Sequence, residues 1–266
     1  GSASKSNLEK VNGVVSFLVQ VGEERIFVRD VVNNDFFEFN FRLPSNAPSG
    51  YYRGNLTVNE KDYLGEISNL GIGEYSFYVR QVEKNLEVIL GKNELNPGEE
   101  LSFRVLLHDQ TGKNIPALVD VSILDSYGKE VFKGKVNTDE EYFYKIDSRQ
   151  TPVELSIKAS KGNMVSSKKA VVLENRKIST EVANRTLVIK NIGNVFYEGN
   201  VVVKISDVEK EVFVSLGIDE QEVYTLSAPP GIYDIEVNDE TVFGVSLTGR
   251  AIDVKKVSNR VSNFIA

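Results

Sequence analysis

Alternation with a period of two, broken every few residues by turn chemistry, is the feature that most limits what this chain can fold into. In "VDVSIL", Val119, Val121 and Ile123 fall on one face against Asp120 and Ser122; in "IYDIEV", Ile235 and Val237 oppose Asp234 and Glu236. Successive side chains of a strand point to opposite faces, so the pattern turns one face to a core and the other to water. Turn formers interrupt such runs at Asn12-Gly13, Asn96-Pro97-Gly98, Thr111-Gly112, Tyr127-Gly128 and Pro229-Pro230-Gly231. Helical periodicity is hard to find. Many short strands at this spacing predict an all-β chain of sandwiches.

Three stretches follow one plan. Each has a charged turn and a strand centred on Phe27, Phe132 or Phe213, then an acidic turn, then an aromatic-bearing strand with Phe37, Phe143 or Tyr224. The second ring lies 10, 11 and 11 residues after the first. A Pro-containing turn and another alternating strand close each unit. Three copies imply three modules of a size that can still bury a core. The boundaries are expected in the charged stretches "VEKNLEV" and "ENRKIST", giving modules at 1–84, 85–174 and 175–256, with a tail or pre-membrane linker at 257–266. Linkers this short and free of Gly/Ser tracts predict an elongated, semi-rigid rod.

Composition narrows the chemistry. Of 266 residues, 41% are apolar and 26% charged, as in ordinary globular domains. No apolar run reaches the roughly 18 residues of a membrane-spanning helix. The opening Gly1-Ser2 reads as the remnant of an expression tag, and a natural signal segment could have preceded it. Zero cysteines exclude disulfides, thiolate metal sites and a cysteine nucleophile. A formal charge of −7 with dispersed Lys and Arg argues against a nucleic-acid partner; Lys168-Lys169 reads as a solvated strand flank.

"LVIKNIGNVFYEGNVVVKI", followed by "VFVSLGIDEQEVYTLSAPPGIYDIEVND", resembles the cell-adhesion-related, immunoglobulin-like domains of bacterial and archaeal surface proteins. "NELNPGEELSFRVLLHDQTGKNIPALVDVSILDSYGKEV" resembles macroglobulin-type and invasin-type sandwich modules. As a whole the chain is similar to surface proteins of archaea whose tandem modules end in "SLTGRAIDV" ahead of a membrane anchor. The resemblance implies an immunoglobulin-like fold, an extracellular or cell-surface location and a passive binding class; it brings no catalytic residues.

The residues agree. The one histidine, His108, ends the alternation of Leu101, Phe103, Val105 and Leu107 and points outward beside Asp109, an exposed polar cap rather than a proton shuttle. "GVSLTG" has one residue too many for a nucleophile elbow and reads as the last strand and its turn. In "NLGIGEY", Gly71 and Gly73 lack the third glycine and the helix of a phosphate loop, and read as a flexible hairpin tip. No cofactor is called for. Calcium is the strongest candidate, with oxygens from Asn33, Asn34, Asp35, Asp139, Glu140, Asn238, Asp239 and Glu240, although no turn reproduces a D-x-D-x-D-G loop.

Aromatic pairs supply the candidate interaction residues. In "DFFEFNF", Phe37, Phe39 and Phe41 share one face and leave Phe36 on the other. Tyr51-Tyr52 and "EYFYKI" each put one ring opposite its neighbour, with Tyr142 or Tyr144 the outward ring of the second. Exposed rings stack on sugars or anchor protein partners. Asn55 and Asn184 open N-x-[ST] tripeptides, as in a glycosylated exterior domain. In "NIGN", Gly193 between Asn191 and Asn194 is expected to need a positive φ in a turn. The expected function is a non-enzymatic ectodomain with a structural, adhesion or receptor role through a protein or cell-envelope partner, membrane-anchored beyond the C-terminus. The alternatives are a carbohydrate-binding region and an accessory array attached to an enzyme. Edge strands in such a fold also admit a partner strand.

Overall fold

The computed structural model describes residues 1–238 and 240–257; Asp239 and residues 258–266, most of the expected tail, lie outside the described residues. The chain is all-β, built of tandem sandwich modules. No helix among the described residues is long and apolar enough to cross a membrane.

The first module is a four-stranded antiparallel sheet of β1 (Gly13–Val21), β2 (Glu24–Val32), β3 (Gly50–Lys61) and β4 (Ile67–Val79), in the order β2-β1-β3-β4. Its second layer is an extended chain. Phe37, Phe39 and Phe41 alternate inward as expected, but residues 37–44 make no strand ladder. Their rings pack on Phe17, whose centroid lies 5.9 Å from Phe39 and 5.6 Å from Phe41.

The second module stacks two sheets around one core. β5 (Glu83–Leu90), β7 (Glu100–Asp109) and β10 (Glu141–Lys145) form the order β10-β7-β5; β6 (Glu94–Leu95), β8 (Leu118–Asp125), β9 (Glu130–Asn137), β11 (Val153–Lys161) and β12 (Met164–Val172) form β6-β12-β11-β8-β9. The alternating faces read from sequence meet here: Val119, Val121 and Ile123 bury against Leu101, Phe103, Val105 and Leu107. His108 is half-buried rather than an exposed cap, with Nε2 3.5 Å from Glu87 and Nδ1 3.2 Å from the Gly112 carbonyl.

The third module repeats the plan. β13 (Ile178–Ala183), β14 (Thr186–Asn191), β17 (Gln221–Ser227) and β20 (Asp253–Lys256) form the order β13-β14-β17-β20, facing β15 (Tyr197–Ile205), β16 (Val208–Leu216), β18 (Gly231–Val237) and β19 (Glu240–Leu247) in the order β16-β15-β18-β19. "GVSLTG" belongs to β19 and its turn as read, but it is not the last strand. The chain crosses to the other sheet, where β20 pairs with β17 and Lys256 lies 2.6 Å from Glu222. Glu222 in turn accepts the Tyr224 hydroxyl at 2.5 Å. Burial, reinforced by that carboxylate, pushes the Tyr224 phenol up.

The strand order of the three-copy plan holds in the second and third modules, but in the first the element with Phe37 is not a strand, and side-chain equivalence fails throughout. Phe27, Phe132 and Phe213 all sit in edge strands, β2, β9 and β16. Phe27 and Phe213 are exposed, whereas Phe132 packs on a core. Of the second rings, Tyr224 is buried, Phe143 exposed and Phe37 outside any strand. Offset along the chain does not set the face a ring takes once the strand before it changes length.

Both inter-module links are held by side-chain amides. Gln110, in the turn after β7, donates from Nε2 to the carbonyls of Ala47 (3.1 Å) and Arg80 (2.9 Å) and accepts the Val82 N–H at 2.7 Å. Beside it, Gln81 donates to Asp109 at 3.2 Å. At the second link, fully buried Asn194 donates from Nδ2 to the carbonyls of Gln150 (2.7 Å) and Leu173 (2.9 Å) and accepts the Asn175 N–H at 2.7 Å. Arg149 pairs with Asp219 across the same link.

This corrects the reading of "NIGN". Gly193 has no positive φ, and neither do its asparagine neighbours. Glycine is needed because a Cβ there would collide with the Asn175 carbonyl and lie 2.8 Å from the Lys177 nitrogen. The Gly193 amide is taken by the Asn191 Oδ1 at 2.9 Å and that of Asn194 by the Asn175 carbonyl at 3.0 Å. The stretch is an inter-module clasp.

Candidate functional site

The site grows from β4. Along the β3–β4 hairpin Leu56 faces Gly73, Val58 faces Gly71 and Glu60 faces Asn69. On the other side of β3, Leu56 pairs with Phe17 and Val58 with Val15. Side chains directly opposite share a face, so Gly71 and Gly73 both lie on the inner face of the sheet. There they contribute no side chain. A Cβ at either position would meet nothing closer than about 3.9 Å, so the absence leaves a void rather than relieving a clash.

That void is a groove of about 510 Å³ between the inner face of β3 and β4 and the segment Ser2–Glu9. Its apolar floor is Leu56, Val58, Val11 and Phe37. A second hollow of about 320 Å³, lined by Phe17, Phe39, Phe41 and Tyr75, shares Phe37 and Leu56 with it. The groove ends on a polar cluster. Buried Glu60 pairs with Lys5 at 2.8 Å, accepts the Asn12 N–H at 2.7 Å and accepts Asn69 Nδ2 at 2.8 Å. Lys5, followed by the Asn12 amide, holds its carboxyl below the usual carboxylate range against the opposing effect of burial.

"NLGIGEY" is therefore not a hairpin tip. The tip is Asp62 to Glu66, closed by Asp62 accepting the Leu64 and Glu66 N–H groups. The glycines sit mid-strand, and the legible signal was their spacing of two, which puts both on one face.

Leu70 (59% exposed) and Ile72 (79%) project from the opposite, outer face of β4, and among the described residues no strand pairs with the far side of β4. Tyr51, 85% exposed, stands beside Tyr78 with ring centroids 4.8 Å apart at 53°. Phe36 is exposed on the bridge between residues 33 and 36.

The other predicted rings are structural. Tyr52 stacks on Phe77 at 5.8 Å and donates its hydroxyl to the Pro48 carbonyl at 2.8 Å. Tyr142 and Tyr144 both turn to the core, against Phe103 (5.9 Å) and Phe132 (6.2 Å), and the outward ring is Phe143. Residues two apart on a strand share a face, so that pair could not split. Asn55 is exposed in β3 and Asn184 in the β13–β14 turn. The calcium candidates Asn34, Asp35, Asp139 and Asn238 hold left-handed turn positions. Asp35 accepts the Val11 N–H at 2.6 Å, and among the described residues no three His, Cys, Asp or Glu side chains converge.

No family model matches the chain, and no curated protein matches it. Among solved structures it is similar to the chicken CNTN1 FN1-FN3 domains, 11% identical over 93% of this chain and 89% of that one, with a TM-score of 0.30. It is also similar to trypsin-activated alpha-2-macroglobulin from Escherichia coli, 13% identical over 92% of this chain and 22% of that one, with a TM-score of 0.28. Scores this low carry no argument about what the chain does.

Proposed function

We propose that this chain is a non-enzymatic, extracellular binding array of a cell-surface protein, and that its first module makes the protein contact through β4 and the groove beside it. The observation that carries the reading is the concentration of apolar groups on a strand with one open edge: Leu70 and Ile72 in water on one face, a side-chain-free apolar trough on the other, and open backbone along the edge between them. Such an edge supplies main-chain hydrogen bonds for affinity and alternating pockets for selection. A sugar platform asks for coplanar rings, and the Tyr51–Tyr78 pair at 53° does not favour it.

The test is binding of the purified chain to an envelope fraction of the encoding organism, with wild type compared with Ile72→Glu. Ile72 is exposed, so the substitution leaves the core intact, and a charge on a sheet edge blocks pairing. Binding retained by wild type and lost in the variant is expected. Equal binding by both would remove β4 from the contact.

A further inference from the structure

Natural sheets guard their edges with charge, brevity, proline or bulges, and nearly every edge of this chain is guarded. β2 carries Glu24, Arg25, Arg29 and Asp30; β5 carries Glu83, Lys84 and Glu87; β9 carries Glu130, Lys133 and Lys135; β16 carries Glu209, Lys210 and Glu211. β6, β10, β13 and β20 are six residues or shorter. β19 is bent by a register shift and by Gly244 at φ 72°. β4 is the exception: its one register shift lies at its start, at Ser68 between Ile67 and Asn69, and the eleven residues after it pair regularly with β3, hold no proline and carry one charge, Glu74, whose carboxylate lies 3.4 Å from Arg53 on its own hairpin partner.

We infer that β4 is completed by β4 of a second copy of this chain, antiparallel about a two-fold axis through Gly73, so that the two first modules share one eight-stranded sheet. The inference rests on the protein-contact reading above and names the occupant. Gly73 is the midpoint of Asn69–Phe77, a stretch that follows the register shift at Ser68 and pairs regularly with β3, so this register pairs that stretch with itself. It sets Tyr75 of each copy opposite Gly71 of the other, on the inner face. In the single chain the Tyr75 ring, still half in water, lies edge-on to Phe17 with centroids 6.1 Å apart, opposite its own Gly54; turned instead toward the partner strand it covers Gly71, the arrangement by which cross-strand aromatics compensate for glycine. It sets Ile72 opposite Glu74 and Leu70 opposite Ser76, so no like charges meet. Shifting the axis to Glu74 would oppose the two Glu74 carboxylates, and shifting it to Gly71 would place Gly71 on itself and leave the trough empty.

The chain has no cysteine, which makes the register directly readable. In an antiparallel pair, opposite Cα atoms lie about 4.5–5.5 Å apart, within disulfide range, and a Cβ at Gly73 meets nothing closer than 4.0 Å. The experiment combines sedimentation of the whole chain up to about 100 μM, where micromolar contacts are populated, with mild oxidation of Gly73→Cys and of Phe27→Cys on the guarded β2 edge. Expected are a dimer, rapid crosslinking of G73C but not F27C, and association weakened about tenfold or more in Ile72→Glu, which opposes two acids, but retained in Ile72→Lys, which faces Glu74. A monomer without G73C crosslinking overturns the inference. If that monomer still binds the envelope fraction through Ile72, a foreign strand occupies the edge and the protein-contact reading stands. If I72E leaves envelope binding unchanged as well, both fall.

Discussion

At Gly193 a hydrogen in place of a methyl group lets the Asn175–Lys177 linker lie directly on the third module. Gly193→Ala drives a Cβ into backbone atoms that cannot swing aside, and overpacking of this kind costs about 1–3 kcal/mol. Urea unfolding is expected to show that loss. Asn194→Ala removes what is, among the described residues, the one side-chain partner of the Asn175 amide and of the Gln150 and Leu173 carbonyls, all held by the fully buried Asn194 amide. Leaving a buried polar group unpaired costs about 1–3 kcal/mol, so the N194A urea midpoint should fall by a similar amount, and hydrogen exchange at Asn175 should quicken. The glycine itself was legible in the sequence. Its reason was not, because a close approach between segments separated by 18 residues looks the same in sequence as a local turn.

At the scale of elements, strands declared themselves wherever one face was buried and the other wet. β8 and β18 follow their alternation residue by residue, and their apolar sets enter the two large cores. β4 could not be read that way, because its inner face carries glycines and its outer face Leu70 and Ile72, inverting the usual pattern. β20 was hidden for a different reason: four residues, two of them lysines, offer no alternation to find. The same inversion makes β4 testable. Gly71 has open space around its Cβ position and no positive φ, so Gly71→Val should stabilise the first module by about 0.5–1 kcal/mol, the usual penalty of a strand glycine. The branched side chain would also fill the seat of the partner's Tyr75, so the midpoint should rise while self-association falls. A variant that gained neither stability nor solubility as a monomer would mean that the trough is not a seat.

At the scale of the whole molecule, stability depends on pH through two carboxylates of the second module, and one of them, Asp109, takes a hydrogen bond from Gln81 at the first inter-module link. Hydrogen bonds from Thr111, and then from Gln81 and the backbone after Asp109, hold that carboxyl at about 2, below its ordinary 3.8; Lys92 and Asn96 hold Glu99 at about 2, below 4.5. A depressed folded-state pKa contributes stability that is complete above the unfolded value and is lost as pH falls through the folded one. The urea midpoint should therefore decline from about pH 4.5 toward pH 2, and less steeply in Asp109→Asn, whose Gln81 contact no longer depends on ionisation.

The central claim is that β4 is a contact strand and the other edges are not. Amide hydrogen exchange across residues 67–76, compared with the guarded edge at 24–32 in the same chain, tests it most directly. With rising chain concentration, protection should grow in β4 while β2 stays unchanged. Exchange in β4 that is as fast at high concentration as at low, with and without the envelope fraction, would contradict the account.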